Sequence, residues 1–157
     1  MTTVRRSPVS TADATMLLDE YFDARRSGHP GGGYVTSTPL PENFEPPTGE
    51  FVILYDGVLP LGCGGVRALS PDRFEIKHLY VRPETRGRGL GRLLVGELEQ
   101  IAASLGAHDV VLDTHASLDA ANGLYRSCGY TEIDAYNANP NATTWFTKRL
   151  TTASSHG

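Results

Sequence analysis

The chain predicts a mixed α/β fold in one domain. Three observations carry that expectation. Its 157 residues match the size of a single domain and suffice for a sizeable core. Short apolar segments bounded by Gly, Pro, Asn and Asp recur along it, as strands do. Stretches with apolar residues at helical spacing are set between those segments. In order, the pattern is β-α-loop-β-β-β-α-β-α-β-β, a mixed sheet with helices packed on it. The composition, 39% apolar and 20% charged, is that of an ordinary globular protein.

The first strand is read over Val4–Val9. Ser10 or Thr11 can cap the helix that follows, in which Leu17, Leu18, Tyr21 and Phe22 share a face and which ends near Ser27-Gly28. His29–Gly49 is irregular, with five prolines and the run Gly31-Gly32-Gly33. A connection that long inside a compact domain is usually functional or disordered. Phe51–Tyr55 and Val58–Ala68 form a hairpin about Asp56-Gly57, a pair suited to a tight turn. Gly62, Gly64 and Gly65 in its second strand indicate a bulge or a close backbone approach. Ser70-Pro71-Asp72 turns the chain into the strand Phe74–Val81, which Pro83 ends.

Leu90, Leu93, Leu94, Leu98, Ile101, Ala102 and Leu105 give the strongest helical stripe, stopped by Gly106. Val110–Asp113 is a short strand. Leu118, Ala121, Tyr125 and Cys128 make a further helix, with Ser117 set to cap it and Gly129 just past its end. Tyr130–Ala135 and Thr143–Arg149 are the last strands, joined by the turn-rich Tyr136–Asn141. The domain is residues 1–150, and Thr151–Gly157 reads as a frayed, disordered tail.

A net charge of −4 argues against a nucleic-acid partner. No apolar run approaches the roughly 18 residues of a membrane span. Met1–Arg6 has no apolar stretch behind it of the kind a secretory signal needs, so the chain reads as cytoplasmic with no membrane partner. Cys63 and Cys128 make neither a disulfide framework nor a zinc site, and no metal is expected. The charge is unevenly spread. Residues 11–56 carry eight acids against Arg25 and Arg26, whereas Arg82, Arg86, Arg88 and Arg92 face only Glu84 within residues 82–92.

That arginine-rich stretch, Val81-Arg-Pro-Glu-Thr-Arg86-Gly-Arg-Gly-Leu-Gly91-Arg92, joins the end of a strand to the start of a strong helix. Backbone N–H groups at a helix start are unpaired and carry the positive end of the helix dipole. Glycines let a phosphate approach them, and arginines add charge-assisted hydrogen bonds. The stretch is not a Walker loop, which needs Gly-Lys-Ser/Thr. Nor is it the dinucleotide fingerprint G-x-G-x-x-G, because the position required after Gly87 and Gly89 is Arg92.

It does resemble motif A of the GNAT superfamily, the Gcn-related N-acetyltransferases, whose loop reads Gln/Arg-x-x-Gly-x-Gly/Ala; Arg86, Gly89 and Gly91 meet it. Glu75–Pro83 is similar to that family's fourth strand. Leu118–Tyr130, with Ala121, Leu124, Tyr125, Gly129 and Tyr130, is similar to its motif B. The resemblance covers about residues 50–150. It implies a mixed, mostly antiparallel sheet splayed at its middle and flanked by helices, with acetyl-CoA as co-substrate and acetyl transfer to a primary amine by direct attack in a ternary complex. It further implies that the loop Arg86, Gly87, Arg88, Gly89, Leu90 and Gly91 binds the pyrophosphate, with Arg92 as a further candidate. The pantetheine arm would pair with the strand end Leu79, Tyr80 and Val81, and Asn122 is a candidate CoA contact.

Amide formation from a thioester needs a base for the ammonium, a donor for the oxyanion and a proton for the leaving thiolate. Glu75, 11 residues before Arg86, is the candidate base, at a spacing several protein-acetylating members of the superfamily share. The alternative is that Lys77, on the same strand face, holds it in an ion pair. His78 and His115 are further bases; strict alternation turns His78 to the opposite face unless a bulge re-aims it. Tyr125 is the candidate acid, matching the family's motif B tyrosine, or else an aromatic core residue. The oxyanion donor is expected from the Val81 or Leu79 backbone N–H.

The resemblance places the acceptor between the first helix, the loop after it and the last strands, here residues 11–49 and Tyr136–Trp145. The acidic 11–56 stretch favours a small cationic amine, of amino-acid, polyamine or amino-sugar type; alternatively those acids solvate a helix face. A protein lysine or N-terminal amine is the other acceptor class, and a non-catalytic acyl-CoA-binding module the other kind of protein. Many members of the superfamily form homodimers through their C-terminal strands, and this chain admits the same.

Overall fold

The computed structural model describes residues 1–150; the expected tail, Thr151–Gly157, lies outside the described residues. The elements run β1 (Thr2–Arg6), α1 (Ala12–Gly28), a 3-10 turn (Pro41–Phe44), β2 (Gly49–Asp56), β3 (Leu59–Ser70), β4 (Arg73–Val81), a second 3-10 turn (Pro83–Thr85), α2 (Leu90–Ser104), β5 (Asp109–Thr114), α3 (Asp119–Ser127), β6 (Thr131–Ile133) and β7 (Thr144–Arg149). The strands make one seven-stranded sheet in the order β1-β2-β3-β4-β5-β7-β6. Every pairing is antiparallel except β4 with β5.

The sheet is covered on both faces. α1, α2 and the strands divide the apolar residues accordingly. Leu17, Leu18 and Phe22 of α1 pack with Phe44, Phe51, Ile53 and Cys63 on one side. Leu90, Leu94, Leu98 and Ile101 of α2 pack with Val52, Leu54, Phe74, Ile76 and Val110 on the other. Alternate residues of β2 therefore serve opposite cores, which is why Phe51–Leu54 is an unbroken apolar run. Each large apolar side chain fully buried this way contributes about 1.5–3 kcal/mol.

The boundaries differ from the sequence expectation where hydrogen bonding decides. β1 stops at Arg6, because Pro8 has no N–H to continue the ladder; the last contact is Ser7 N–H to the Phe51 carbonyl at 2.9 Å. Thr11, not Ser10, caps α1, its hydroxyl accepting from Ala14 N at 3.3 Å. Ser117 does not cap α3, which begins at Asp119 with no side-chain cap; the Ser117 hydroxyl is held by His115 Nδ1 at 2.8 Å. The bulge anticipated among the β3 glycines is present. Register passes from Gly65↔Lys77 to Cys63↔Tyr80, so Gly64 alone faces His78 and Leu79. A Cβ on Gly64 would lie 2.8 Å from Leu98 Cδ1, which explains the missing side chain. His78 takes φ 59, the left-handed region, at a cost of about 1–2 kcal/mol.

The feature that positions the site is a short parallel seam. β4 and β5 pair only over Arg73↔Asp109, Phe74↔Val110 and Glu75↔Val111. Beyond it β4 follows β3 to Val81, and β5 follows β7 to Thr114. Glu75 stands at the last rung with 0% exposure. Its Oε1 accepts from Arg67 Nε and Nη2 (3.0 and 2.9 Å), and its Oε2 accepts from the Tyr136 hydroxyl (2.5 Å). Removing one partner of a buried ion pair leaves the other charge uncompensated. Glu75→Ala is therefore expected to lower the unfolding free energy by about 3–5 kcal/mol, measured by urea denaturation; unchanged stability would show that the brace contributes nothing.

Candidate active site

Where β4 and β5 part, a cleft of about 690 Å³ opens. Its walls are the far half of β4, the loop Thr85–Arg92, the end of β5 and the first turns of α3. The loop follows from its glycines. Gly87 and Gly89 have φ 86 and 75, which an L side chain rarely adopts. Gly89 ends the loop in this conformation as the N-cap of α2. The first helical bond is Leu93 N–H to the Gly89 carbonyl at 3.1 Å, so the amides of Leu90, Gly91 and Arg92 have no intrahelical acceptor. Gly91 keeps the helix start close to α3; a Cβ there would lie 3.0 Å from Leu124 Cδ2.

The four arginines of this stretch divide into two kinds. Arg82 is committed to the protein: Nε and Nη2 hold both oxygens of Glu20 (3.0 and 2.7 Å), and Nη1 donates to the Pro60 carbonyl. Those bonds hold the Glu20 carboxyl below its ordinary pKa. Arg92 lines the cleft but donates to Ser127 at the end of α3. Arg86 also lines the cleft, whereas Arg88 does not.

Leu79, Tyr80 and Val81 line the β4 wall. The Tyr80 hydroxyl donates to Glu20 at 3.1 Å. Arg82 N–H donates to the Leu61 carbonyl of β3 at 2.8 Å, and alternation then turns the Val81 N–H to the opposite edge, toward the gap. Tyr125 lines the opposite wall at 8% exposure, with no hydrogen bond to its hydroxyl among the described residues. Burial pushes its pKa up to about 12, so the phenol keeps its proton at neutral pH.

Glu75 and Asn122 also stand outside the cleft lining. Glu75 lines neither cleft and has no exposed surface, so it lacks the reach a base needs. Nor is its partner Lys77, which pairs instead with Asp113 at 3.4 Å. Asn122 is outside the cleft lining; its Nδ2 donates to the His115 and Leu118 carbonyls (3.0 and 2.8 Å).

A second cleft of about 450 Å³ adjoins the first. It is walled by Tyr34–Phe44 and Asn137–Asn141, within the two segments anticipated for the acceptor. Asn141 bonds both backbone groups of Val35 like a strand neighbour (2.8 and 2.7 Å), pinning the long loop over the cleft. Tyr21, Arg25, Lys77, His78 and Asp113 line both clefts and mark their junction. Asp113 and Arg25 escape the sequence reading. The signal for Asp113 is a carboxylate closing the apolar strand Val110–Leu112. Its Oδ2 accepts from Asn137 at 2.7 Å.

His78 reaches this junction through the bulge, which turns it onto Tyr21, Phe22 and Phe44. Burial lowers its pKa to about 3, so it is neutral. His115 bonds Ser117 and lines neither cleft.

Residues 15–130 match the Acetyltransferase (GNAT) family, and the chain belongs to that family. An N-acetyltransferase of Schizosaccharomyces pombe is 41% identical over 99 residues, 62% of this chain and 61% of its own length, so the chain spans about three-fifths of that relative. An acyl-CoA N-acyltransferase structure from Klebsiella pneumoniae superposes with TM-score 0.78 at 24% identity, covering 96% of this chain and 99% of that one. A Salmonella typhimurium acetyltransferase solved with its cofactor acetyl-CoA superposes with TM-score 0.72 at 19% identity, over 96% and 95% of the two chains. Among the described residues no helix is long and apolar enough to cross a membrane.

The neutral His78 fixes a pH dependence. Its folded pKa, about 3, lies below the ordinary 6.5, so the unfolded chain takes up the proton first. Its contribution to stability is present above pH 6.5 and is lost as pH falls toward 3. His78→Asn should therefore flatten the fall in unfolding free energy across that range, read as the difference between the two proteins in urea denaturation at each pH. Parallel curves would mean that the imidazole titrates freely in the fold.

Proposed function

We propose that the chain is an acetyl-CoA-dependent N-acetyltransferase that acts on a small primary amine by direct attack in a ternary complex. The observation that carries this is the junction of two clefts: one runs from the unpaired amides of the glycine loop to Tyr125, and the other is roofed by the pinned loop. The residues fit the co-substrate. The amides of Leu90, Gly91 and Arg92 stand at the positive end of α2, and Gly87 and Gly89 leave open space around them. The free β4 edge at Leu79–Val81 offers strand-like hydrogen bonds to a pantetheine arm. When bound, acetyl-CoA supplies an activated thioester. A second cleft of about 450 Å³ suits a small molecule better than a protein segment.

The roles follow from chemistry and position. Asp113 is the carboxylate that fronts both clefts, and it takes the ammonium proton directly or through one water, in place of Glu75. The amine nitrogen then attacks the acyl carbon. The Val81 N–H donates to the oxyanion at the splayed edge. As the carbon–sulfur bond breaks, the Tyr125 phenol gives its proton to the thiolate and regains, through water, the second proton that the attacking nitrogen must lose, while Asp113 releases the first to solvent. Lys77, 3.4 Å from Asp113, holds that carboxylate in place.

Two experiments test this reading. With a working acceptor, Tyr125→Phe and Asp113→Asn should each lower kcat for thiol release by about 10²-fold or more while the KM for acetyl-CoA stays near wild type; near-wild-type turnover across pH would remove the residue from its role. Gly89→Asp puts a side chain at φ 75 and a negative charge at the helix start. It should weaken acetyl-CoA binding at least about tenfold in calorimetry, and retained affinity would remove the loop from phosphate binding.

A further inference from the structure

We propose that the acceptor amine also carries a carboxylate, as an amino acid does, and that Arg25 binds it; this rests on the acetyl-transfer reading above. The acids of residues 11–56 give no support to a cationic acceptor once they are located, because none of them lines either cleft. Glu20 is held by Arg82, Asp13 accepts from the Tyr55 hydroxyl (2.6 Å), and Asp23 pairs with Arg26. Glu50 faces Arg6 at 3.7 Å, and Asp56 faces the N-terminal ammonium at 3.1 Å. Five of the eight acids are thus held in pairings outside the clefts, and the other three line neither.

The charged groups that line the second cleft are Arg25, Arg67, Lys77 and Asp113. Lys77 and Asp113 meet through one contact at 3.4 Å, so together they add no net charge while the carboxylate still faces the junction. Arg67 is held from behind by the buried Glu75 through Nε and Nη2, leaving Nη1 without a protein partner among the described residues. Arg25 lies over the Tyr34 ring, 5.5 Å from its centroid, and has no carboxylate partner among the described residues. A half-buried guanidinium without a counter-ion at the edge of a substrate cleft selects an anion, and its planar fork matches a carboxylate. Arg25 and Asp113 both belong to the cleft junction, so one small zwitterion can present its ammonium to Asp113 and its carboxylate to Arg25. Polyamines and amino sugars, which bring only positive charge, meet Arg25 and Arg67 unfavourably.

The test compares neutral L-amino acids with their primary amides and decarboxylated amines, for instance phenylalanine, phenylalaninamide and phenethylamine, with spermidine as the polycation. Binding to the CoA-loaded protein is measured by calorimetry, and turnover by thiol release from acetyl-CoA. At least one amino acid should bind about tenfold or more tightly than its amide and amine. Arg25→Gln should abolish that preference, the amino acid then binding no more tightly than its amide, and Arg25→Lys should restore part of it. Amides, amines or spermidine binding as well as the amino acids would overturn the proposal. So would a preference that survives Arg25→Gln, or a panel in which nothing binds. An Arg25-dependent preference for carboxylates without any thiol release would uphold the inference and overturn the acetyl-transfer reading instead.

Discussion

The geometry of this protein turns on one buried carboxylate. Glu75 occupies the last rung at which β4 and β5 pair, and beyond it the sheet divides. A charge without solvent exposure is costly unless its lone pairs are met. Here Arg67 from β3 meets one oxygen, and Tyr136 from the β6–β7 connection meets the other. The same three side chains therefore tie β3, β4 and the far side of the gap together at the point of divergence. Burial and the neighbouring carboxylate drive the Tyr136 pKa well above its ordinary value, so the phenol remains a donor to Glu75 at any physiological pH.

The division of the sheet does two things at once. It frees the β4 edge, where Val81 turns its N–H toward the gap, and it lets α3 close the opposite side with Tyr125. The bulge at His78 supplies the rest of the shape, since the extra residue re-aims the imidazole toward α1 and into the junction of the clefts. α1 is in turn anchored across the sheet by the two-point pairing of Glu20 with Arg82, where β4 gives way to the glycine loop. An arginine that reads along the chain as part of a phosphate cluster thus holds the acceptor side and the loop side in one frame.

Much of this was legible in the sequence, for a definite reason. Helical periodicity announces α2, and Asp56-Gly57 announces the β2–β3 hairpin, because each is a local constraint written in adjacent residues. Gly87 and Gly89 likewise reveal their loop. Pairings between distant residues are not written that way. Glu20 lies 62 residues from Arg82, and Glu75 lies 61 from Tyr136, so no window of sequence associates them. For that reason Glu75 reads as a candidate base or a partner of Lys77, when its carboxylate is held by Arg67 and Tyr136, and Asp113 passes as the end of a strand. Net charge over a segment misleads in the same manner: residues 11–56 are strongly acidic, yet none of their carboxylates lines a cleft, and those of Glu50, Asp23 and Glu20 face Arg6, Arg26 and Arg82.

What remains at the junction is electrically sparse. His78, pressed among Tyr21, Phe22 and Phe44, stays neutral. Lys77 and Asp113 cancel at close range. Among the described residues Arg25 has no carboxylate partner, and it stands beside apolar walls, where water screens it less than at an open surface. Its field and that of Asp113 both reach Tyr125, Arg25 lowering the phenol's pKa and Asp113 raising it. A zwitterion that met both groups would remove the lowering and the raising influence together, so the phenol keeps its proton through burial, the largest cause of its raised pKa, whether or not the acceptor cleft is filled.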